Sequence, residues 1–415
     1  MAKVRFIGNA INRKQVDTYT IASPSSGLSI YTIVCNGKTF SYTAASAVAA
    51  TEATALMTAF NEQTNILELL DAIADDNSAS ITFTARDEGV PFTFTYGVTG
   101  GGTFNGSTTT TNSGKSVFDL ADNWSATINV ADDLILDKPD TDIFYRLDQL
   151  TTALTSFTID MAFNGQLGLP FQNQADYYEY RATYCKLNCP LVIIGTGTGQ
   201  GPSRAYIWTN AGAATAVYVY NTGASLDDYP VVMLKHTSGG SNSFSVVRVV
   251  EGSVGIALLA DETSTVTLLQ VGDDNTNPSV RCGTGCTVAG LTISSGTVDM
   301  VNSPTGTTNI TGGATVTINK GGAATLMEVI DGTLSLGGAG NFTITNLTVG
   351  ENGVLDLSYG YGTVTVTNAI KVYKGFTIID PLNRLASSTQ FAPQQCNFLT
   401  DGTYTAPPSL TWTKS

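Results

Sequence analysis

Between Gly252 and Ile379 a five-residue phrase returns seven times: Gly252–Ile256, Pro278–Cys282, Gly296–Met300, Ala314–Ile318, Gly332–Leu336, Gly353–Leu357 and Gly375–Ile379, with starts 18 to 26 residues apart. The third and fifth positions of each phrase are apolar, Thr377 excepted, and the second and fourth are mostly small or polar. Alternation of this kind places one face of a strand in a core and the other in water. A second short strand precedes several phrases: Leu291–Ile293, Met327–Val329, Leu347–Val349 and Ile370–Val372. Two strands per repeat, with glycine or polar turns between them, predict a parallel β-helix of roughly one coil per phrase. One coil cannot bury its apolar face alone, but stacked coils enclose a continuous column of Val, Leu and Ile. The phrases would then span about 30 Å at the ~4.8 Å strand spacing.

The N-terminal pattern is different. Strands are expected at Lys3–Ile7, Thr18–Ala22, Ile30–Cys35, Thr39–Thr43, Ile81–Ala85 and Pro91–Tyr96, with Asn36-Gly37 as a hairpin turn. A helix is expected over Ala47–Asn61, capped by Ser46 or Thr43, with Val48, Ala55, Leu56, Ala59 and Phe60 as its buried stripe. The run Ile66–Ala74 reads as a second, shorter helix. The division that follows is an α+β docking domain over 1–100, a Gly/Thr/Ser-rich linker over 101–116, and a cap and irregular β region over 117–250. The regular β-helix covers 251–380, and a C-terminal cap or tail covers 381–415. The expected class is mainly β: a parallel β-solenoid with a small N-terminal α+β domain.

Composition narrows the function classes. Charged residues make up 13% of the chain, against ~25% in ordinary globular proteins, so Thr, Ser, Gly and Asn supply the outward positions. Such a surface suits a long-lived, packed, extracellular or particle-bound structure better than a cytosolic enzyme; the alternative is that β-solenoids simply have this composition. The net charge of −14, from 20 basic and 34 acidic residues, argues against a nucleic-acid partner. No membrane-length apolar run and no secretory signal are read in the chain.

Candidate chemistry is sparse. Cys185/Cys189 and Cys282/Cys286 are Cys-x3-Cys pairs. Zinc prefers Cys-x2-Cys spacing or nearby histidines, and the chain has one, His236. Buried thiols are the expectation, with a disulfide or a metal left as alternatives. Gly195–Gly201 lacks the Lys-Ser/Thr ending of a phosphate loop and precedes a β-like run, so it reads as a turn. Asp299 and Asp356 share an outward face but lie three coils apart, about 14 Å, too far for a glycosidase pair. Arg281 beside Asp299 suggests a surface ion pair, and Glu328 has Thr348 and Lys371 as expected ladder neighbours. The acidic group Asp132, Asp133, Asp137, Asp140 and Asp142 lacks EF-hand spacing. No catalytic residue, cofactor or metal ligand is assigned. Val354, Phe376 and Ile378 fall on outward phrase positions and are read as an oligomer contact. Tyr177, Tyr178 and Tyr180 are read as interface aromatics or sugar-stacking rings.

Diffuse motifs carry a family resemblance over residues 1 to about 260. They are Asn36–Ala44 followed by an Ala-rich helix, Ile81–Ala85, Gly89–Thr95, Asp122–Ser125, Gly165–Pro170, Tyr178–Arg181 and Ile194–Gly197. This pattern resembles modules in structural proteins of tailed phages and prophages. The resemblance implies a virion location and a non-enzymatic role as head decoration, fibre or tail-associated β-helix. It also implies assembly with itself, often as a homotrimer, and with other virion proteins. The alternative it leaves open is a tailspike-like protein of host attachment that binds or depolymerises a surface glycan. It transfers no site residue.

Overall fold

The computed structural model describes residues 2–35, 38–63, 70–74, 79–169, 184–210, 214–226, 228–236, 243–386, 389–394, 396 and 401–405. The chain is mainly β and winds a parallel β-solenoid of about 11 turns. Successive strands alternate between a 14-stranded and a 13-stranded sheet, so each coil gives one strand to each. All seven phrases lie in the second, 13-stranded sheet; the strands that precede them lie in the first.

The register shows why the alternation folds this way. One inward column of the second sheet runs Ala205, Val232, Val254, Val280, Val298, Val316, Leu334, Leu355, Ile378 and Tyr404. Across the core, the first sheet contributes Ile194, Val219, Val249, Val271, Ile293, Ile310, Val329, Val349 and Val372. All but the terminal Tyr404 are buried. Each coil therefore covers the apolar face of the next, and cooperativity runs along the axis. The glycine that opens a phrase sits at a corner: Gly252, Gly296 and Gly375 have φ of 100°, 81° and 83°, a region other residues rarely adopt.

The solenoid is longer than the phrases alone indicate. Its first sheet begins with Lys3–Arg5, which pairs in parallel with Asp133–Leu136. The expected irregular region over 117–250 continues the same two sheets. The expected tail adds a rung to each, at Phe391–Pro393 and Thr403–Thr405. Residues Ser125–Val130 form no strand, although Leu134–Leu136 and Ser156–Asp160 do.

The α+β unit is an insertion. The chain lays the first solenoid strand at Lys3–Arg5, leaves to build the unit, and returns to the next rung at Asp133. A three-stranded sheet of Ile30–Cys35, Lys38–Thr43 and Phe94–Thr99 and a four-stranded sheet enclose helix α1, Ala49–Asn61. The Asn36-Gly37 turn lies outside the described residues, but the strands on either side pair antiparallel as a hairpin requires.

Three readings of this region are corrected. The linker over 101–116 contains a strand, Thr103–Thr110, paired antiparallel along Val16–Ala22; its β-branched threonines suit an edge strand. Within the expected second helix, Leu70–Ala74 is a strand paired with Ser80–Ala85. Helix α1 has no side-chain cap at its N-cap residue Val48, which is exposed. Instead Glu52 in its first turn accepts hydrogen bonds from the Ala45 and Ser46 amides at 3.0 and 2.9 Å. Its buried face is Glu52, Ala53, Leu56 and Phe60.

Aromatic packing closes the first coil. Trp124 meets Phe6 and Phe118 edge-on at 5.2 and 5.1 Å. Buried Asn123 donates to the carbonyls of Gly114 and Val117 at 2.8 and 2.7 Å and accepts from Ala10 at 2.9 Å. That single amide ties the outgoing and returning chain of the insertion to the solenoid.

Candidate functional site

Clefts form preferentially where two units of a chain meet. One of about 420 Å³ lies at the root of the insertion. The insertion contributes Gln15, Phe92, Thr93, Thr108 and Asn112; the solenoid contributes Phe144, Tyr145, Arg146, Asp148 and Lys186. Gln15 is fixed: its oxygen accepts the Phe92 amide at 3.2 Å and its nitrogen donates to Asp17. Burial raises the Asp17 carboxyl above its ordinary pKa, against the lowering hydrogen bonds from Thr108 and Gln15. Buried Asn112 donates to the Arg13 carbonyl at 3.4 Å, while its Oδ1 has no hydrogen-bond partner. On the solenoid side Arg146 Nε donates to Asp119 at 3.0 Å. Burial still holds the Asp119 carboxyl above its usual range.

Lys186 extends this site along the outer face of the second sheet. Register stacks Lys186, Trp208 and Lys235 on successive rungs. The two ammonium groups lie 4.9 and 4.6 Å from the indole ring, within cation–π range. Lys186 reaches Asp148 at 3.2 Å, and Lys235 reaches buried Glu262 at 3.5 Å. Beside them on the same outer face Tyr184, Tyr206 and Met233 form a small apolar cluster with Trp208, Tyr229 and Leu258 packed against it. Burial, reinforced by Glu262, pushes the Tyr184 phenol far above its ordinary pKa, so it stays protonated. Asp148 and Glu262 each face an ammonium group.

A second cleft, about 480 Å³, lies between stacked corners carrying Asp140, Asp142, Asn164, Gln166, Gln200 and Ser203. Its carboxylates serve the turns. Asn164 Nδ2 donates to Asp140 at 2.8 Å, and the Gln166 amide donates to Asp142 at 2.9 Å. Asp132 accepts the Asn129 amide at 2.8 Å, Asp133 accepts the Ser156 hydroxyl at 2.6 Å, and Asp137 pairs with Arg5. The acidic group of the sequence is thus distributed among separate partners.

The other sequence-derived residues fall as follows. Phe376 and Ile378 are buried, not outward: Leu355 pairs with Ile378, so the last phrase is offset by one residue from its alignment on glycine. A one-residue slip exchanges the faces of a strand. Val354 does point outward, and its outward companions are Thr377 and Ile379. Tyr177, Tyr178 and Tyr180 lie outside the described residues. Asp299 and Asp356 are three rungs apart on one column, as expected. Asp299 accepts Asn319 Nδ2 at 2.7 Å in place of the ion pair expected with Arg281. Glu328 does have Thr348 and then Lys371 as ladder neighbours. Gly195–Gly201 forms a corner, with positive φ at each of its four odd-numbered glycines and a strand after it.

Cys185, Cys189, Cys282 and Cys286 are buried thiols of the core. Burial raises the Cys189 pKa to about 12. A hydrogen bond with Cys286, added to burial, drives that of Cys282 well above the ordinary value. Among the described residues no cluster of His, Cys, Asp and Glu is arranged to hold a metal ion, and no helix is long and apolar enough to cross a membrane.

Sequence reading missed Lys186, Trp208, Lys235 and Glu262, because no local motif links residues that meet only through coil stacking. No known protein-family model and no curated protein matches this chain.

Proposed function

We propose that this chain is a non-enzymatic structural protein of a phage particle, in which the inserted α+β unit docks and the solenoid forms a stiff surface element. The observation that carries the reading is the insertion itself. Its two chain crossings leave one solenoid strand and re-enter beside it, joined by the Arg13–Ser113 bridge and by Asn123. A unit held at both ends transmits force to the rod, whereas a unit on a single linker swings freely. The rod of about 11 turns has a span on the order of 50 Å. Its polar surface and the ion-paired Lys186–Trp208–Lys235 column agree with a mechanical role. Capsid decoration, a fibre and a tail-associated element all use these properties. The test is quantitative mass spectrometry of purified particles: recovery in fixed stoichiometry with other particle proteins is expected. Recovery only in the soluble fraction would reject the proposal.

A second reading, attachment to a host glycan, is favoured by the cleft at the root of the insertion. There the partly exposed Phe144 ring lines the cleft together with Asn112, whose buried Oδ1 has no hydrogen-bond partner. Release of reducing ends from host polysaccharide would turn this reading into a depolymerase; binding without release would leave an adhesin.

A further inference from the structure

The C-terminal coils carry an apolar stripe that the fold leaves uncovered. Tyr359, Tyr361 and Leu382 are 71%, 96% and 53% exposed on two stacked corners. The strands leading into those corners, Gly353–Asp356 and Thr377–Ile379, pair in register and add Val354 and Ile379 on their outward side. The stripe is rigid. Arg384 donates to the Tyr359 carbonyl, the Tyr361 amide donates to Gly338 at 3.1 Å, and Asp356 accepts the Ser358 amide at 2.8 Å.

We infer that this stripe is where a second copy of the chain packs, side by side with the first. The inference rests on the structural reading above and gives it a contact surface. Two arguments select a second copy. First, a chain with net charge −14 repels its own kind, so copies must meet through a face with few charges. The stripe continues into one uncharged outward column, Thr297, Thr315, Thr333, Val354, Thr377 and Thr403, while the next column carries Asp299 and Asp356. Second, the exposed parts of the two tyrosines and the leucine supply on the order of 400 Å², about half the ~800 Å² that each partner buries in a standard interface. The adjoining threonine column extends the face toward that area. A preformed corner avoids the ordering cost of a mobile loop.

Sedimentation equilibrium of the full chain tests this, comparing wild type with the Tyr359→Ser/Tyr361→Ser double variant and, separately, Leu382→Asp. Wild type should associate with increasing concentration. Loss of two central aromatics should weaken association by roughly 30-fold or more. Ile11→Ser, an exposed change on the distant N-terminal segment, should leave association unchanged. Equal melting temperatures certify that the variants are folded. Wild type that stays monomeric, or variants that associate as wild type does, overturn the inference. A monomer still found in particles rejects this surface alone. A chain absent from particles rejects the structural role, whatever its mass.

Discussion

Replacing Arg384 should loosen the last coils of the solenoid and leave the middle intact. Arg384 is 3% exposed, and it crosses the stack from within a corner. Its Nε donates to the Gly362 carbonyl at 2.8 Å; its Nη1 faces the carbonyls of Leu336, Leu357 and Tyr359. Asp380 completes the staple by accepting the Arg384 and Leu385 amides at 2.7 and 3.0 Å. Burial lowers the Arg384 pKa, and the Asp380 charge opposes that shift. In Arg384→Met the carbonyls lose a charged donor, and each such bond contributes about 1.5–3 kcal/mol. Because Nη1 is shared, two bonds are the fair count, about 3–6 kcal/mol. Relief of guanidinium desolvation offsets part of this, leaving about 3 kcal/mol of local destabilisation. Terminal repeats open independently of central ones, so the loss should appear in hydrogen exchange rather than in a global midpoint. Amides of Leu357, Val364 and Asp380, bonded to Ile379, Arg384 and Thr405, should exchange roughly 100-fold faster. Those in Ser264–Val271 should not change. Arg384→Lys, which keeps the charge but loses the planar fork, should fall between. Less than threefold faster exchange at the three amides would show that Arg384 is not a staple.

Other expectations follow from single side chains. Thr308 stands in the inward column between Leu291 and Met327 with its hydroxyl buried and unpartnered, so Thr308→Val should stabilise by about 1 kcal/mol in urea titration; destabilisation would contradict the assignment. The Asp17 carboxyl is raised above 3.8 in the fold, so folding binds a proton; stability of the insertion should fall as pH rises from 3.8 through the raised value. Asp17→Asn should flatten that slope in pH-dependent melts, and an unchanged slope would assign it elsewhere. A maleimide should label partly exposed Cys396 first in native protein and reach Cys185, Cys189, Cys282 and Cys286 only on unfolding, as read by peptide mass; rapid native labelling of those four would refute their burial.

The solenoid was legible where strand alternation meets a glycine corner, because both are local. It faded where the evidence is non-local. Lys3–Arg5 reads as a strand, but nothing near it reveals a parallel partner beginning at Asp133. Thr103–Thr110 has the composition of a linker, and only pairing with Val16–Ala22 makes it a strand. The final phrase shows the limit of alignment by punctuation. Gly375 marks a corner, but the core is set by Leu355 on Ile378, one residue out of step with the glycines, and this reverses Phe376 and Ile378. The oligomer contact read from the sequence therefore keeps Val354 and loses the other two. The Lys186–Trp208–Lys235 column was invisible for a related reason: its members are neighbours through coil stacking alone.

The most direct test of the proposed structural role is a cryo-electron microscopy reconstruction of phage particles assembled in the presence of this chain. The account predicts density for the α+β insertion against the particle surface and a straight solenoid running about 50 Å from it. A solenoid buried in the particle wall with the insertion facing solvent, or occupancy too low for a repeating component, would contradict it.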